Sequence, residues 1–172
     1  MRIQYKCKSG NRTVHKSKAD TFAFRRNKMP KADRNAQVTW KGSLLEGAGT
    51  ITRTGSGAFG NLPITWAART ESSDGKTSPE ELMAAAHASC FSMQFASVLA
   101  KAGHAPDELN VSATCTFEPP KITTMKLDVR GRVPGIDQKE FQRLADDAGE
   151  KCPVSNALRN NLDIQLTARL EK

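Results

Sequence analysis

The sequence predicts an α+β fold, with antiparallel sheets packed on one long buried central helix. Three observations predict it. A stretch of helical length without formal charge, Leu82 to Ala100, follows a strong helix-start signal. Runs of alternating apolar and polar residues lie on both sides of that stretch. The 172-residue chain shows no internal repeat and no glycine-rich phosphate motif, and its length suits one domain with a sizeable core.

The central helix starts at Ser78, an N-cap residue, with Pro79 at the first helical position and Glu81 three residues after the cap. The first-turn carboxylates favour the positive end of the helix dipole. Leu82, Met83, Phe91, Met93, Phe95, Val98 and Leu99 are spread round the wheel with small residues between them. A helix apolar or small on every side is expected to be buried on every side. The length would serve a membrane span, but Ser89, Ser92, Gln94 and Ser97 argue against one. Gly103 is the expected C-terminal stop, followed by Pro106.

Ahead of the helix, Ala36, Val38 and Trp40 alternate with polar residues, residues 47–54 form a second strand, and Ile64, Trp66 and Ala68 a third that ends at Arg69. This reads as an antiparallel meander. After the helix, Val111, Ala113, Cys115 and Phe117 share one strand face. Met125, Leu127, Val129 and Val133 share another, opposite Lys126, Asp128, Arg130 and Arg132. Asp137 and Glu140 make a second capping box for a surface helix carrying Phe141, Leu144 and Ala148, which Gly149 should end. A short helix follows from Cys152-Pro153 to Leu158, then a last strand with Leu162, Ile164, Leu166, Ala168 and Leu170 on one face.

The formal net charge is +8, but residues 1–28 hold nine Lys and Arg against Asp20 alone, whereas the rest holds seventeen of each sign. The body is neutral, which removes the main support for a nucleic-acid binder. Residues 1–28 read as a basic extension, disordered or not native to the domain, and residues 29–172 as the domain.

Four cysteines, Cys7, Cys90, Cys115 and Cys152, are too few and too far apart for a disulfide scaffold. A reducing, cytoplasmic setting is expected, where a cysteine is a core residue or a chemical tool. Cys7 lies in the basic arm, and parity makes Cys115 a core residue. Cys152 precedes a proline at a helix start, where the dipole favours a thiolate, so local electrostatics prefer it over mid-helix Cys90. His87 and Cys90 stand three residues apart on one helix face, a spacing a metal could use with Cys152. No CxxC or HxxxH pair accompanies them, and the simpler reading of His87 is a core histidine bonded to backbone or to serine.

The segment TSPEELMAAAHASCFSM, followed by VPGID and CPVSNAL, resembles the osmotically inducible protein C (OsmC) family, related to the organic hydroperoxide resistance (Ohr) proteins. The likeness runs from about Met29 to the C-terminus and includes AQVTWKGSLLEGAGT. The histidine in AAHASC leans towards OsmC. The resemblance implies a cysteine-based hydroperoxide reductase, an intertwined homodimer that needs no metal, flavin or haem. Its substrates would be organic hydroperoxides and hydrogen peroxide. By position Cys90 matches the peroxidatic cysteine, Cys152 the resolving one, Arg69 the active-site arginine and Glu80 its partner. A dithiol, of the kind carried by a lipoylated protein, would be the reductant. An apolar pocket for the organic group is expected from Phe91, Met93 and Phe95. Glu80 and Cys90 are ten residues apart, about 15 Å on a regular helix. Either Arg69 bridges that gap within one chain, or Glu80 reaches Arg69 and Cys90 of a second chain, and the second is favoured. The competing reading is a redox-sensing or thiol-buffering protein without fast turnover, which the same two cysteines would serve.

Overall fold

The computed structural model describes residues 31–171. The readings for residues 1–28, including Cys7, lie outside the described residues. Arg34–Lys172 is one compact unit.

Two three-stranded sheets flank the central helix in sequence. The first has the order β1-β2-β3, from β1 (Ala36–Lys41), β2 (Ala48–Thr54) and β3 (Leu62–Ile64), and is antiparallel throughout. After it come α1 (Trp66–Thr70) and the central helix α2 (Pro79–Lys101). The second sheet has the order β4-β5-β6, from β4 (Glu108–Glu118), β5 (Lys121–Arg132) and β6 (Asp163–Glu171). Between β5 and β6 run α3 (Gln138–Lys151) and α4 (Pro153–Leu158). β4 and β5 are an antiparallel hairpin, whereas β6 pairs parallel to β5. The second sheet is therefore mixed, not antiparallel as expected. A helical crossover carries the chain back to the end of the sheet where β5 began, so β6 runs in the same direction as β5.

The core is where α2 and α3 meet the inner face of β5. Phe91, Phe95, Val98 and Leu99 of α2 lie against Leu127 and Val129 of β5 and Phe141, Leu144, Ala145 and Ala148 of α3. The rings of Phe91, Phe95 and Phe141 form a tilted chain with centroids 5.7 and 5.0 Å apart. Phe91 and Phe95 are thus core residues and do not line a substrate pocket.

The caps follow their residues. Ser78 accepts the Glu81 N–H, Asp137 accepts the Glu140 N–H, and Gly103 takes a positive φ of 88° behind α2. Three expectations are corrected. The alternation of Ile64, Trp66 and Ala68 is not a strand beyond Ile64. Thr65 caps a helical turn by accepting the Ala68 N–H, and three alternating positions are too few to exclude a helix of Ala, Ala and Arg. Gly149 does not end α3, which continues to Lys151 and stops where Pro153 forces Cys152 into an extended conformation. Helix α2 is buried along one stripe, Glu80, His87, Phe91, Phe95, Val98 and Leu99, while Ala85, Ala86, Ser89, Met93 and Ala100 are exposed in the single chain. All six residues of β1 are exposed as well.

Gly131 marks a close strand–helix approach. A Cβ there would stand 2.7 Å from the Phe141 ring and 2.7 Å from Leu109. Gly131→Ala should destabilise the fold by about 1–3 kcal/mol through overpacking, read as a lower urea midpoint with an unchanged slope.

Candidate functional site

The four residues singled out in the sequence fall into two pairs. Cys90 and Cys152 form the first. Cys90 lies in the middle of α2 and is partly exposed, and Cys152 is wholly buried at the junction of α3 and α4. Their sulfurs are 3.4 Å apart, with the Cys152 thiol donating to Cys90, and both are reduced. The junction explains the placement. Cys152 is at once the last cap of α3 and the N-cap of α4, and its extended backbone turns its side chain into the core.

Burial pushes the Cys90 thiol above its ordinary pKa, and the neighbouring Cys152 pushes in the same direction. Opposing them is a hydrogen bond from the Val154 backbone N–H, in the first turn of α4. The helix start that favoured Cys152 in the sequence therefore directs an N–H at Cys90. Among the described residues no cation contributes to the shift of this sulfur.

Arg69 and Glu80 form the second pair. Arg69 Nε and Nη2 both donate to Glu80 Oε1, at 2.9 and 2.7 Å. The carboxylate is more deeply buried than the guanidinium, with side chains 9% and 25% exposed. Glu80 Oε2 is buried and accepts no hydrogen bond. The guanidinium carbon lies 3.8 Å over the Phe117 ring and 5.7 Å from that of Trp66, and these two rings meet edge to face. Arg69 is thus fixed by one carboxylate and two aromatic faces. It reaches them because α1 is a helical turn and not the strand expected.

This pair lines a cleft of about 300 Å³ with Ser78, Ala84, Cys115 and Phe117. Cys115 keeps the inward parity read from the sequence but is only half-buried, because its face of β4 opens into the cleft. Burial and the Glu80 charge push its thiol above the ordinary pKa. Arg69 pairs with Glu80 of its own chain, so the favoured reading, in which Glu80 seeks Arg69 of a second chain, is corrected on that point. Helix α2 is continuous from Pro79 through Cys90, so the two pairs stay about 15 Å apart along it.

His87 is wholly buried, and its Nε2 shares a 2.8 Å hydrogen bond with Ser155 Oγ. Burial holds its pKa below the usual histidine value. Among the described residues no group of three or more His, Cys, Asp or Glu could hold a metal. Sequence reasoning missed Ser155, Trp66 and Phe117. Ser155 had a readable signal, three residues after Cys152 as His87 is three before Cys90. The aromatic clamp had none, because it depends on α1 being helical.

A long helix backed by a mixed sheet, with two thiols touching at its middle, defines a two-cysteine α+β thiol protein. The chain belongs to the OsmC-like protein family, which matches residues 72–167. It is 36% identical over 139 residues to the peroxiredoxin OsmC of Escherichia coli (strain K12), covering 77% of this chain and 96% of that protein. It is 37% identical over 93 residues to an organic hydroperoxide resistance protein of Xanthomonas axonopodis pv. citri, covering 53% of this chain and 66% of that one. The crystal structure of the organic hydroperoxide resistance protein OhrB of Bacillus subtilis superposes with a TM-score of 0.59 at 28% identity, over 78% of this chain and 98% of that chain.

The shifted groups set a pH window for stability. The folded state holds His87 neutral, so stability should fall as pH drops below about 6.5, where the unfolded histidine takes up a proton first. It holds Cys90 and Cys115 neutral too, so stability should also fall as pH rises above about 8.5, where the unfolded thiols ionise first. Urea midpoints across pH under reducing conditions should peak between these limits, and Cys115→Ala should reduce the alkaline fall.

Proposed function

We propose that the protein is a thiol-dependent hydroperoxide reductase that uses Cys90 as nucleophile and Cys152 as resolving thiol. The observation that carries this reading is the 3.4 Å contact between a partly exposed Cys90 and a wholly buried Cys152. The named relatives, a peroxiredoxin and organic hydroperoxide resistance proteins, support the substrate class.

The Cys90 thiolate attacks the outer oxygen of the hydroperoxide, the O–O bond breaks, and an alcohol or water leaves. Cys90 is left as a sulfenic acid. The Cys152 sulfur attacks it, water leaves, and a Cys90–Cys152 disulfide forms. An external dithiol, of the lipoyl type, restores both thiols by exchange and is itself oxidised.

The thiolate needs a cation, and the described residues of its own chain place none beside it. The Arg69–Glu80 pair is the candidate, delivered as a preformed unit by a second copy in a homodimer. Arg69 would stabilise the thiolate and donate to the peroxide oxygens, with Glu80 holding its guanidinium in place. The exposed stripe of α2 and the exposed β1, with Val38 and Trp40 uncovered, supply apolar surface for such a partner. Phe117 and exposed Met93 would then flank the organic group, in place of Phe91 and Phe95.

Turnover of cumene hydroperoxide with dihydrolipoamide tests the cycle. Cys90→Ser should abolish it. Cys152→Ser should permit one oxidation of Cys90 and block recycling. Loss of wild-type thiol no faster than that of free cysteine would instead favour a thiol-buffering role.

A heterodimer tests the shared site. One chain carries Cys90→Ser and the other Glu80→Ala. The surviving Cys90 then faces the intact Arg69–Glu80 pair of its partner, and activity near that of one normal site is expected. Activity as low as that of the Glu80→Ala homodimer would return the site to a single chain.

A further inference from the structure

We propose that the His87–Ser155 hydrogen bond is a positioning latch for the resolving step, clamping the start of α4 to α2 so that Cys152 stays in contact with Cys90 after Cys90 is oxidised. The inference rests on the peroxidase reading for its role in the cycle, but the latch itself rests on geometry.

The two residues frame the sulfur pair symmetrically. His87 is three residues before Cys90 on α2, and Ser155 three residues after Cys152 on α4. On a helix that spacing stacks side chains on one face, one turn apart. The hydrogen bond therefore joins the same two helices as the sulfur contact, one turn away from it. Both side chains are shielded from water, His87 fully and Ser155 to within 2%. A buried polar pair gives little net stability over apolar packing, but it fixes one geometry, because parting it strands both groups.

At its C-terminal end helix α4 is tied to α3 by the Arg159–Glu150 ion pair, and the His87–Ser155 bond ties it to α2. Helix α4 has six residues, its N-cap Cys152 makes no side-chain capping bond, and Pro153 removes one backbone donor. Beside it opens a cleft of about 430 Å³, lined by Ser155 and Arg159 together with Gly149, Glu150, Ile164 and Leu166. Oxidation places a new oxygen on a sulfur already touching Cys152. An oxygen held between the sulfurs would crowd the two helices, and the cleft beside α4 would give it room to withdraw. A hydrogen bond one turn away opposes that withdrawal while leaving the sulfurs free to turn about their own side-chain bonds. The resolving step balances without a further reactant: the Cys152 S–H and the Cys90 S–OH are consumed, one S–S bond forms, and one water leaves. If α4 swings away, the sulfenic acid persists, and a second hydroperoxide oxidises it to the sulfinic acid.

Two measurements on the full chain test the latch, and one of them uses no peroxide. Equilibration with glutathione redox buffer gives the effective concentration of Cys152 for Cys90. Ser155→Ala should lower it by about tenfold, since the pair is no longer held in register. Ser155→Thr, which keeps the hydroxyl, should restore it. In a single turnover with cumene hydroperoxide, Ser155→Ala should keep the wild-type rate of Cys90 oxidation. It should form the disulfide about tenfold more slowly and accumulate more sulfinic acid. A Ser155→Ala protein with native near-ultraviolet circular dichroism and unchanged effective concentration would overturn the latch. Failure of the wild type to react with hydroperoxide would overturn the peroxidase reading alone, and the glutathione equilibrium would still judge the latch. If Ser155→Ala does not fold, His87→Leu removes the same bond from the other side and is judged by the same outcomes.

Discussion

A regular α-helix cannot bring residues ten positions apart together, and the organisation of this protein follows from that constraint. Helix α2 runs unbroken from Pro79 to Lys101, with Glu80 near one end and Cys90 at its middle. Whatever Glu80 holds stays near the start of the helix, and whatever touches Cys90 comes from elsewhere. The chain accordingly holds two separate pairs of residues. At the start of α2, a helical turn, a strand and the carboxylate grip Arg69. At its middle, the break between α3 and α4 delivers Cys152. On the proposed dimer reading, the rigidity that separates the pairs would let α2 present different faces to different neighbours.

The aromatic grip on Arg69 settles a problem of its own. A guanidinium free to swing would spend much of its time in water and stabilise a nearby anion little. Here Glu80 takes two of its N–H groups on one oxygen, and the Phe117 and Trp66 rings restrict its plane. The rest of the guanidinium is held in a fixed direction, so on the proposed reading little reorganisation would be needed when charge develops on a substrate.

Much of this was legible in the sequence where signals were local and redundant. The start of α2 was marked by cap, proline and first-turn acid together, and the faces of β4, β5 and β6 by alternation over four or five positions. Reading failed where a signal was short or depended on another chain segment. Three alternating residues suggested a strand at Trp66, but Thr65 started a helical turn. Gly149 looked like a stop, yet it is a small residue under Leu166 and Phe91 within α3. The parallel pairing of β6 is set by the crossover path and leaves no mark in the strand itself. The two cysteines were legible as motifs, but not the N–H that α4 directs at Cys90, because it requires knowing which helix end faces which sulfur.

The unequal burial of the two touching thiols has a consequence for the order of events. Cys152 is sealed from solvent, while Cys90 is open on one side. A diffusing oxidant meets one sulfur and not the other, whatever their relative acidities. On the peroxidase reading, access alone makes Cys90 the first sulfur to react, and Cys152 would react only with what its neighbour has become. On that reading the direction of the sequence would be enforced sterically, by a wall, with the buried thiol kept in reserve until the exposed one has been used.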